Sequence, residues 1–233
     1  MQEHEKNNRI RVSRHLPTVV GLFIALVLPT LIALIRGFLH RPLTDATRVI
    51  LSLINSWIWV VILVMLVLFW EHLPLSSIAI RKMSVKDLGW SLLGFLTGVL
   101  MFAITTPLVK SLNLSPTGSG ILRLAKMPIY LRVVVVFTAG ITEEILFRGY
   151  PIERLNALTG RLWLGAAIAY VVFVLLHIPF WGIGGAIQIG FWSAIVTLLY
   201  VWRRNLPACM LMHVLNDAFA FIVLPMLFAQ HLP

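Results

Sequence analysis

Three short segments place acidic groups and histidines inside otherwise apolar stretches. They contain Glu143 and Glu144, then His177, and then His213 with Asp217. Ionisable side chains are costly inside a membrane helix, so each segment predicts a functional site. A carboxylate and imidazoles brought together could activate a water and stabilise an oxyanion, or bind a divalent metal ion such as zinc. The residues alone leave both kinds of chemistry open, with Glu143, His177 and His213 as the candidate metal ligands.

The two adjacent glutamates are expected to have different roles, because on a helix their side chains point about 100° apart. Glu144 precedes Arg148 by four residues, and this spacing predicts an ion pair within one helix. Glu143 then has no cationic partner, and we expect it to act as a general base. The alternative is a purely structural pair of Glu144 and Arg148 that joins helices.

The spacing around a predicted turn places Glu143 and His177 at one depth. The turn signal is Thr159-Gly160, and each of the two residues is 17 positions from Gly160. Antiparallel helices that meet at this turn would bring the two side chains level. The alternative for His177 is a packing role against Phe173, which is one turn earlier.

His213 and Asp217 are four residues apart, so a carboxylate could orient an imidazole and fix its tautomer. Asn216 adjoins them as a further amide group. His213 is only 8 residues past Asn205, so it reaches the depth of Glu143 only if the hairpin end protrudes about two helical turns into the cytoplasm. Polar residues at that end favour the protrusion: Arg148, Glu153, Arg154 and Arg161.

Composition indicates that these groups lie in a membrane protein. Of 233 residues, 59% are hydrophobic and 12% are charged, and the mean hydropathy is +0.92. A water-soluble domain has about a quarter of its residues charged, so a soluble fold, a disordered chain and a secreted disulfide scaffold are excluded. The single Cys209 leaves no intramolecular disulfide and no cysteine cluster for a metal.

Seven apolar stretches are long enough, or nearly so, to cross about 30 Å of hydrocarbon as helices. They run approximately over Leu16–Ile35, Val49–Trp70, Gly89–Val109, Ile129–Tyr150, Leu162–Phe180, Gly182–Trp202 and Leu206–Ala229. The sequence therefore predicts an all-α, polytopic membrane helix bundle with about seven transmembrane helices. We expect N-terminal helices and loops in residues 1–128 and a catalytic helical core in residues 129–233.

The net charge of +10 is distributed over the ends of the apolar stretches. An N-terminus in the cytoplasm places 12 Lys and Arg residues on that side and 7 on the other, and the positive-inside rule favours this orientation. This distribution indicates contact with lipid headgroups, and we expect no nucleic-acid partner.

At three motifs the chain resembles the CPBP family of intramembrane proteases, which includes CAAX prenyl endopeptidases and bacteriocin-processing or bacteriocin-immunity membrane proteins. The motifs are Glu143-Glu144-x-x-x-Arg148, Phe173-x-x-x-His177 and His213-x-x-x-Asp217, and the resemblance covers about Val133–Phe221. It implies a peptide-bond hydrolase inside the membrane, with an active site that opens toward the cytoplasmic side.

The resemblance also implies roles for individual residues. Glu143 would activate water, His177 and His213 would assist it or hold a metal, and Asp217 stands where many relatives have Asn. An anionic Asp is better suited to orienting His213 or binding metal than to donating a hydrogen bond to an oxyanion. The supporting positions are Phe173, Arg148, Glu144 and the neighbouring Asn216. The family is classed as metalloproteases.

Three functions remain in competition. The first is an endopeptidase that acts on peptides, pheromones or membrane proteins in a bacterial plasma membrane, since the short chain with small loops resembles bacterial members. The second is a non-catalytic immunity or partner-binding protein on the same fold. The third is a transporter or proton relay, because buried Glu and His also serve such paths, although no inverted repeat is evident.

Overall fold

The computed structural model describes residues 15–29, 31–32 and 45–227, and within these ranges it contains helices and no strand. Helix α1 covers His15–Val27, and α2 covers Asp45–Met65 and continues through a π-helical turn at Leu66–Trp70. A 3-10 turn, Leu75–Ile78, leads to α3, Val85–Ser111, and to the short α4, Gly118–Ala125.

Helix α5, Ile129–Glu144, passes through a π-helical turn, Ile145–Gly149, into α6, Tyr150–Thr159. Helix α7 covers Leu162–Arg203, and α8, Leu206–Ala218, passes through a π-helical turn, Phe219–Val223, into α9, Leu224–Leu227.

Four helical segments of the described residues are long and apolar enough to cross a membrane: Ala46–Trp70, Val85–Ser111, Leu162–Arg203 and Leu206–Leu227. The predicted all-helical fold with membrane-spanning helices is therefore confirmed, whereas the number of seven spans stays a prediction. The predicted ends at Ile35 and Ala229 lie outside the described residues.

One predicted helix boundary is present in the structure and another differs. The predicted break between the helices before and after Trp181 is present, because α7 consists of two helical parts that meet at a kink at Gly182, where φ is 70° and ψ is 176°. A positive φ is readily adopted by glycine, so the break falls where the sequence permits it. The helix predicted to end at Tyr150 continues into α6, and that helix ends at Gly160 with φ 68°, which confirms the turn signal.

Side-chain caps fix the connection between α7 and α8 against the start of α3. Ser84 caps α3 by accepting from the N–H of Asp87, whose carboxylate accepts in return from the N–H of Ser84. Asn205 caps α8 by accepting at Oδ1 from the N–H of Ala208. Because Arg203 Nε donates to Asp87 Oδ1 at 2.8 Å, the last residue of α7 is held at the N-terminal cap of α3.

Most charges at the hairpin end have partners inside the protein. Arg148 and Arg154 are buried at 1% and 4% exposure. Arg154 donates through Nε and Nη2 to Glu71 Oε2 at 2.9 and 2.6 Å, and Glu153 pairs with Arg204. These charges join helices to one another, so the polarity of this end no longer supports the expected protrusion into the cytoplasm.

Helices α5 and α8 approach closely at Gly140. A Cβ atom at Gly140 would lie 2.4 Å from Val214 Cγ2 and 3.1 Å from the backbone N of Val214, whereas a Cβ at Gly89 of α3 would have nothing within 4 Å. We expect Gly140→Ala to lower the free energy of unfolding by about 1–3 kcal/mol, because the helices must separate. The control Gly89→Ala should leave it unchanged or raise it by about 0.4–1 kcal/mol. Equilibrium unfolding in detergent measures both, and equal losses would contradict the close approach.

Candidate active site

Three helices bring the predicted catalytic side chains together. Nε2 of His177 lies 3.8 Å from Oε2 of Glu143, and Nε2 of His213 lies 4.0 Å from the same oxygen. Oδ2 of Asp217 lies 3.6 Å from Nε2 of His213. The side chains of Glu143, His177 and Asp217 keep 27%, 18% and 17% of their surface exposed. Four residues from α5, α7 and α8 therefore form one cluster that is partly open.

The gaps in this cluster are longer than a direct hydrogen bond, which spans about 2.7–3.2 Å between heavy atoms. A water that lies between two polar atoms about 4 Å apart can make a normal hydrogen bond to each. The distances from Glu143 to the two histidines are therefore suited to a bridging water.

A backbone contact determines which nitrogen of His177 faces Glu143. Nδ1 of His177 lies 2.7 Å from the carbonyl oxygen of Phe173, and because a carbonyl only accepts, Nδ1 must carry the proton. In the neutral ring the lone pair is then on Nε2, which points to Glu143. The Phe173 ring also lies 4.3 Å from the His177 ring, and the Arg148 guanidinium lies 4.1 Å from the centroid of the same Phe173 ring. Phe173 thus orients His177 through both its backbone and its ring.

Glu144 orients the second histidine. Its Oε1 accepts from Nη1 of Arg148 at 2.7 Å and from Nδ1 of His213 at 2.8 Å, and its side chain is fully buried. Nη2 of Arg148 donates to Oγ of Ser193 at 2.7 Å. The predicted pair of Glu144 with Arg148 is present, and Glu144 also holds the His213 ring in place through its Nδ1.

The sequence predicts Asp217 as the residue that orients His213, and the structure gives this role to Glu144. At 3.6 Å from Nε2, Asp217 is too far for a hydrogen bond to the ring. The i, i+4 spacing places the carboxylate near Nε2, but the packing of α5 against α8 brings Glu144 to Nδ1. The sequence did show a second acidic residue, Glu144, next to the proposed general base. Whether its side chain points to His213 depends on how α5 and α8 are rotated about their axes, which the sequence does not show.

Asn216 lies away from the cluster. Its Nδ2 donates to the carbonyl of Met212 at 3.0 Å, and its amide faces Gly98, where a Cβ would lie 2.7 Å from Oδ1. Asn216 therefore packs against α3. A residue that the sequence analysis missed is Trp192, whose buried ring lies 4.6 Å from the His213 ring in an edge-to-face contact. Nothing in its type or spacing distinguishes it from other apolar positions of α7.

The cluster has the donor types of a zinc site but not its spacing. Two imidazole nitrogens and a carboxylate oxygen are common zinc ligands, and two ligands about 2.1 Å from a tetrahedral ion are about 3.4 Å apart. The distances of 3.8 and 4.0 Å from Glu143 are wider. Among the described residues, no group of three His, Cys, Asp or Glu side chains is arranged to hold a metal ion. The side chains do not fit an ion without moving, and a divalent metal ion such as zinc held by Glu143, His177 and His213 stays an untested alternative.

Comparison with known proteins supports the resemblance at the three motifs. Residues 125–219, about two-fifths of the chain, match the family described as Type II CAAX prenyl endopeptidase Rce1-like. No curated protein sequence and no solved structure matches the chain significantly. The matched range contains all three motifs, and the family implies a protease with a peptide or protein substrate in a membrane context. Residues 125–219 are therefore similar to the type II CAAX prenyl endopeptidases, and this similarity supports the CPBP family of CAAX-type proteases.

Proposed function

We propose that the protein is an intramembrane endopeptidase in which Glu143 activates a water for attack on a peptide bond. One observation carries the proposal: Nε2 of His177 and Nε2 of His213 both lie within 4.0 Å of Oε2 of Glu143. A carboxylate between two histidines can both accept a proton and hold a water for reaction.

In the first step the water transfers one proton to Glu143, while its other hydrogen forms a hydrogen bond to the lone pair on Nε2 of His177. Its oxygen attacks the carbonyl carbon, a C–O bond forms, and the carbonyl electron pair moves to oxygen. His213 in its protonated form donates from Nε2 to this oxyanion, while Glu144 and Asp217 stabilise the cation. The C–N bond then breaks, and Glu143 returns its proton to the leaving amine.

The substrate class follows from the setting of the cluster. Its side chains lie at the end of α5, in α7 and in the segment Leu206–Leu227 that begins with α8. The last two are long enough to cross a membrane, and the cluster is partly open. The proposed substrate is therefore a membrane-associated or lipidated peptide or protein. We place the N-terminus in the cytoplasm, on the distribution of basic residues, and the enzyme in a bacterial plasma membrane, on the resemblance to bacterial members of the family.

The direct test is cleavage by the purified protein in detergent, with a transmembrane peptide and a lipid-anchored peptide as substrates. Mass spectrometry of the products identifies the bond that is cut. His177→Ala should lower kcat by about 10²-fold or more, because the water loses one of its two anchors. His15→Ala is the matched control, since His15 is exposed on α1, far along the chain from the cluster. Unchanged cleavage by His177→Ala would refute the proposal.

The mechanism derived from these distances uses no metal, and a chelator tests this. After dialysis against 1,10-phenanthroline we expect kcat to stay within about twofold of its starting value. Loss of cleavage that zinc restores would show instead that Glu143, His177 and His213 close around an ion. The inactive isomer 1,7-phenanthroline controls for effects of the compound on the detergent micelle.

A further inference from the structure

Two helices that carry the proposed site are interrupted soon after their site residues. Helix α7 leaves helical geometry at Gly182, five residues after His177. Helix α8 passes into the π-helical turn Phe219–Val223, two residues after Asp217. Interruptions of this kind are frequent at functional sites, because they redirect side chains and free backbone groups.

Each interruption affects a backbone carbonyl. In a regular helix the carbonyl of Phe180 would accept from the N–H of Gly184, which lies beyond the break at Gly182. The carbonyl of Phe221 would accept from the residue four positions later, which is Pro225 and has no N–H. A carbonyl without a donor is costly in a membrane, where water does not replace the missing partner.

Two arginines from another part of the chain supply donors at these positions. Nη2 of Arg123 in α4 donates to the carbonyl of Phe180 at 2.6 Å, and its guanidinium lies 4.6 Å from the Phe180 ring. Nη1 of Arg132 in α5 donates to the carbonyl of Phe221 at 3.0 Å. The two interruptions therefore share one feature: an arginine side chain satisfies the backbone.

The two interruptions also contact each other. The rings of Trp181 and Phe221 stack with centroids 6.0 Å apart and an interplanar angle of 15°. Helix α4 lies against this stack at Gly120, where a Cβ would come within 2.4 Å of the Trp181 ring. A shift of either arginine would therefore change the packing of both α7 and α8 at their interruptions.

We propose that Arg123 and Arg132 are positioning residues of the peptidase site. By supplying donors at the two interruptions, they fix the backbone that follows His177 in α7 and Asp217 in α8, and so hold these two side chains at one separation. This inference rests on the proposed function. A displacement of about 1 Å in a catalytic group can lower a rate by about 10²-fold, so residues that touch no substrate can control kcat.

The test uses single variants Arg123→Gln and Arg132→Gln, with Arg→Lys variants at both positions for rescue. Lys126→Gln is the charge-matched control, since Lys126 is exposed at the end of α4. Each Gln variant should lower kcat by about tenfold, with KM within about twofold, and Lys should restore part of kcat because its ammonium can also donate. Amide hydrogen exchange should become faster around residues 180–184 for Arg123→Gln and around residues 219–225 for Arg132→Gln.

A raised KM with unchanged kcat would overturn the inference, because it would mean that the arginines bind substrate. Unchanged exchange at both interruptions, or the same kinetic loss in Lys126→Gln, would also overturn it. Hydrogen exchange does not depend on activity. If the wild-type protein cleaves nothing, the proposed function fails, while the exchange rates still decide whether each arginine stabilises its helix interruption.

Discussion

Glu143→Gln should lower kcat for peptide cleavage by about 10²- to 10⁴-fold. The amide has the shape of the carboxylate but cannot take a proton from water. The fold should be unaffected, because within the described ranges the charged contacts of Glu143 are those with His177 and His213 at 3.8 and 4.0 Å. Single-turnover cleavage measures the rate, and the melting temperature in detergent should match that of the wild-type protein.

The matched control for Glu143→Gln is Asp217→Asn, a second carboxyl-to-amide change in the same cluster. It should cost less activity, since Asn is common at this position in the family that the motifs resemble. Wild-type rates in Glu143→Gln would contradict the proposed base. A protein that only bound a bacteriocin would still protect cells with Glu143→Gln, so a cell-protection assay separates the two functions.

Glu144→Gln should lower the free energy of unfolding by about 3–5 kcal/mol, because it leaves the guanidinium of Arg148 buried without its counter-charge. Both side chains have 1% exposure or less and are 2.7 Å apart. The same change weakens the acceptor that orients Nδ1 of His213, so kcat should fall as well. Equilibrium unfolding in detergent measures the stability, and Glu143→Gln is the neighbouring control that should show no comparable loss.

The double variant Glu144→Gln/Arg148→Gln separates the cost of leaving one buried charge unpaired from the cost of changing the shapes of the two side chains. Its loss of stability should be smaller than the sum of the two single losses, because neither charge then remains unpaired. Strict additivity would mean that the two side chains stabilise the protein independently. Equal stabilities for Glu143→Gln and Glu144→Gln would contradict the assignment of different roles to the adjacent glutamates.

Much of the site could be predicted because it depends on distance along a helix. The equal spacing of Glu143 and His177 from Gly160 requires only the rise per residue and an antiparallel hairpin. The pair of Glu144 and Arg148 requires only the i, i+4 rule. Apolar length alone indicated the membrane-spanning helices.

The contacts that sequence reasoning missed depend on how helices are rotated against one another. Glu144 reaches His213 across two helices, and Asn216 turns toward α3, although both lie beside residues whose positions were predicted. The burial of Arg154 could not be predicted either, because its partner Glu71 is 83 positions away along the chain. Helical periodicity describes one helix at a time and contains no such information.

The ion pair of Glu71 and Arg154 has a consequence for biogenesis. Glu71 also accepts from the hydroxyls of Thr18 and Tyr150, so three side chains from early and late parts of the chain donate to one carboxylate. During synthesis Glu71 leaves the ribosome well before Arg154, and until then its charge must remain hydrated. The first two helices can therefore reach their final packing only after α6 has been made, which makes assembly of this bundle a late step of membrane insertion.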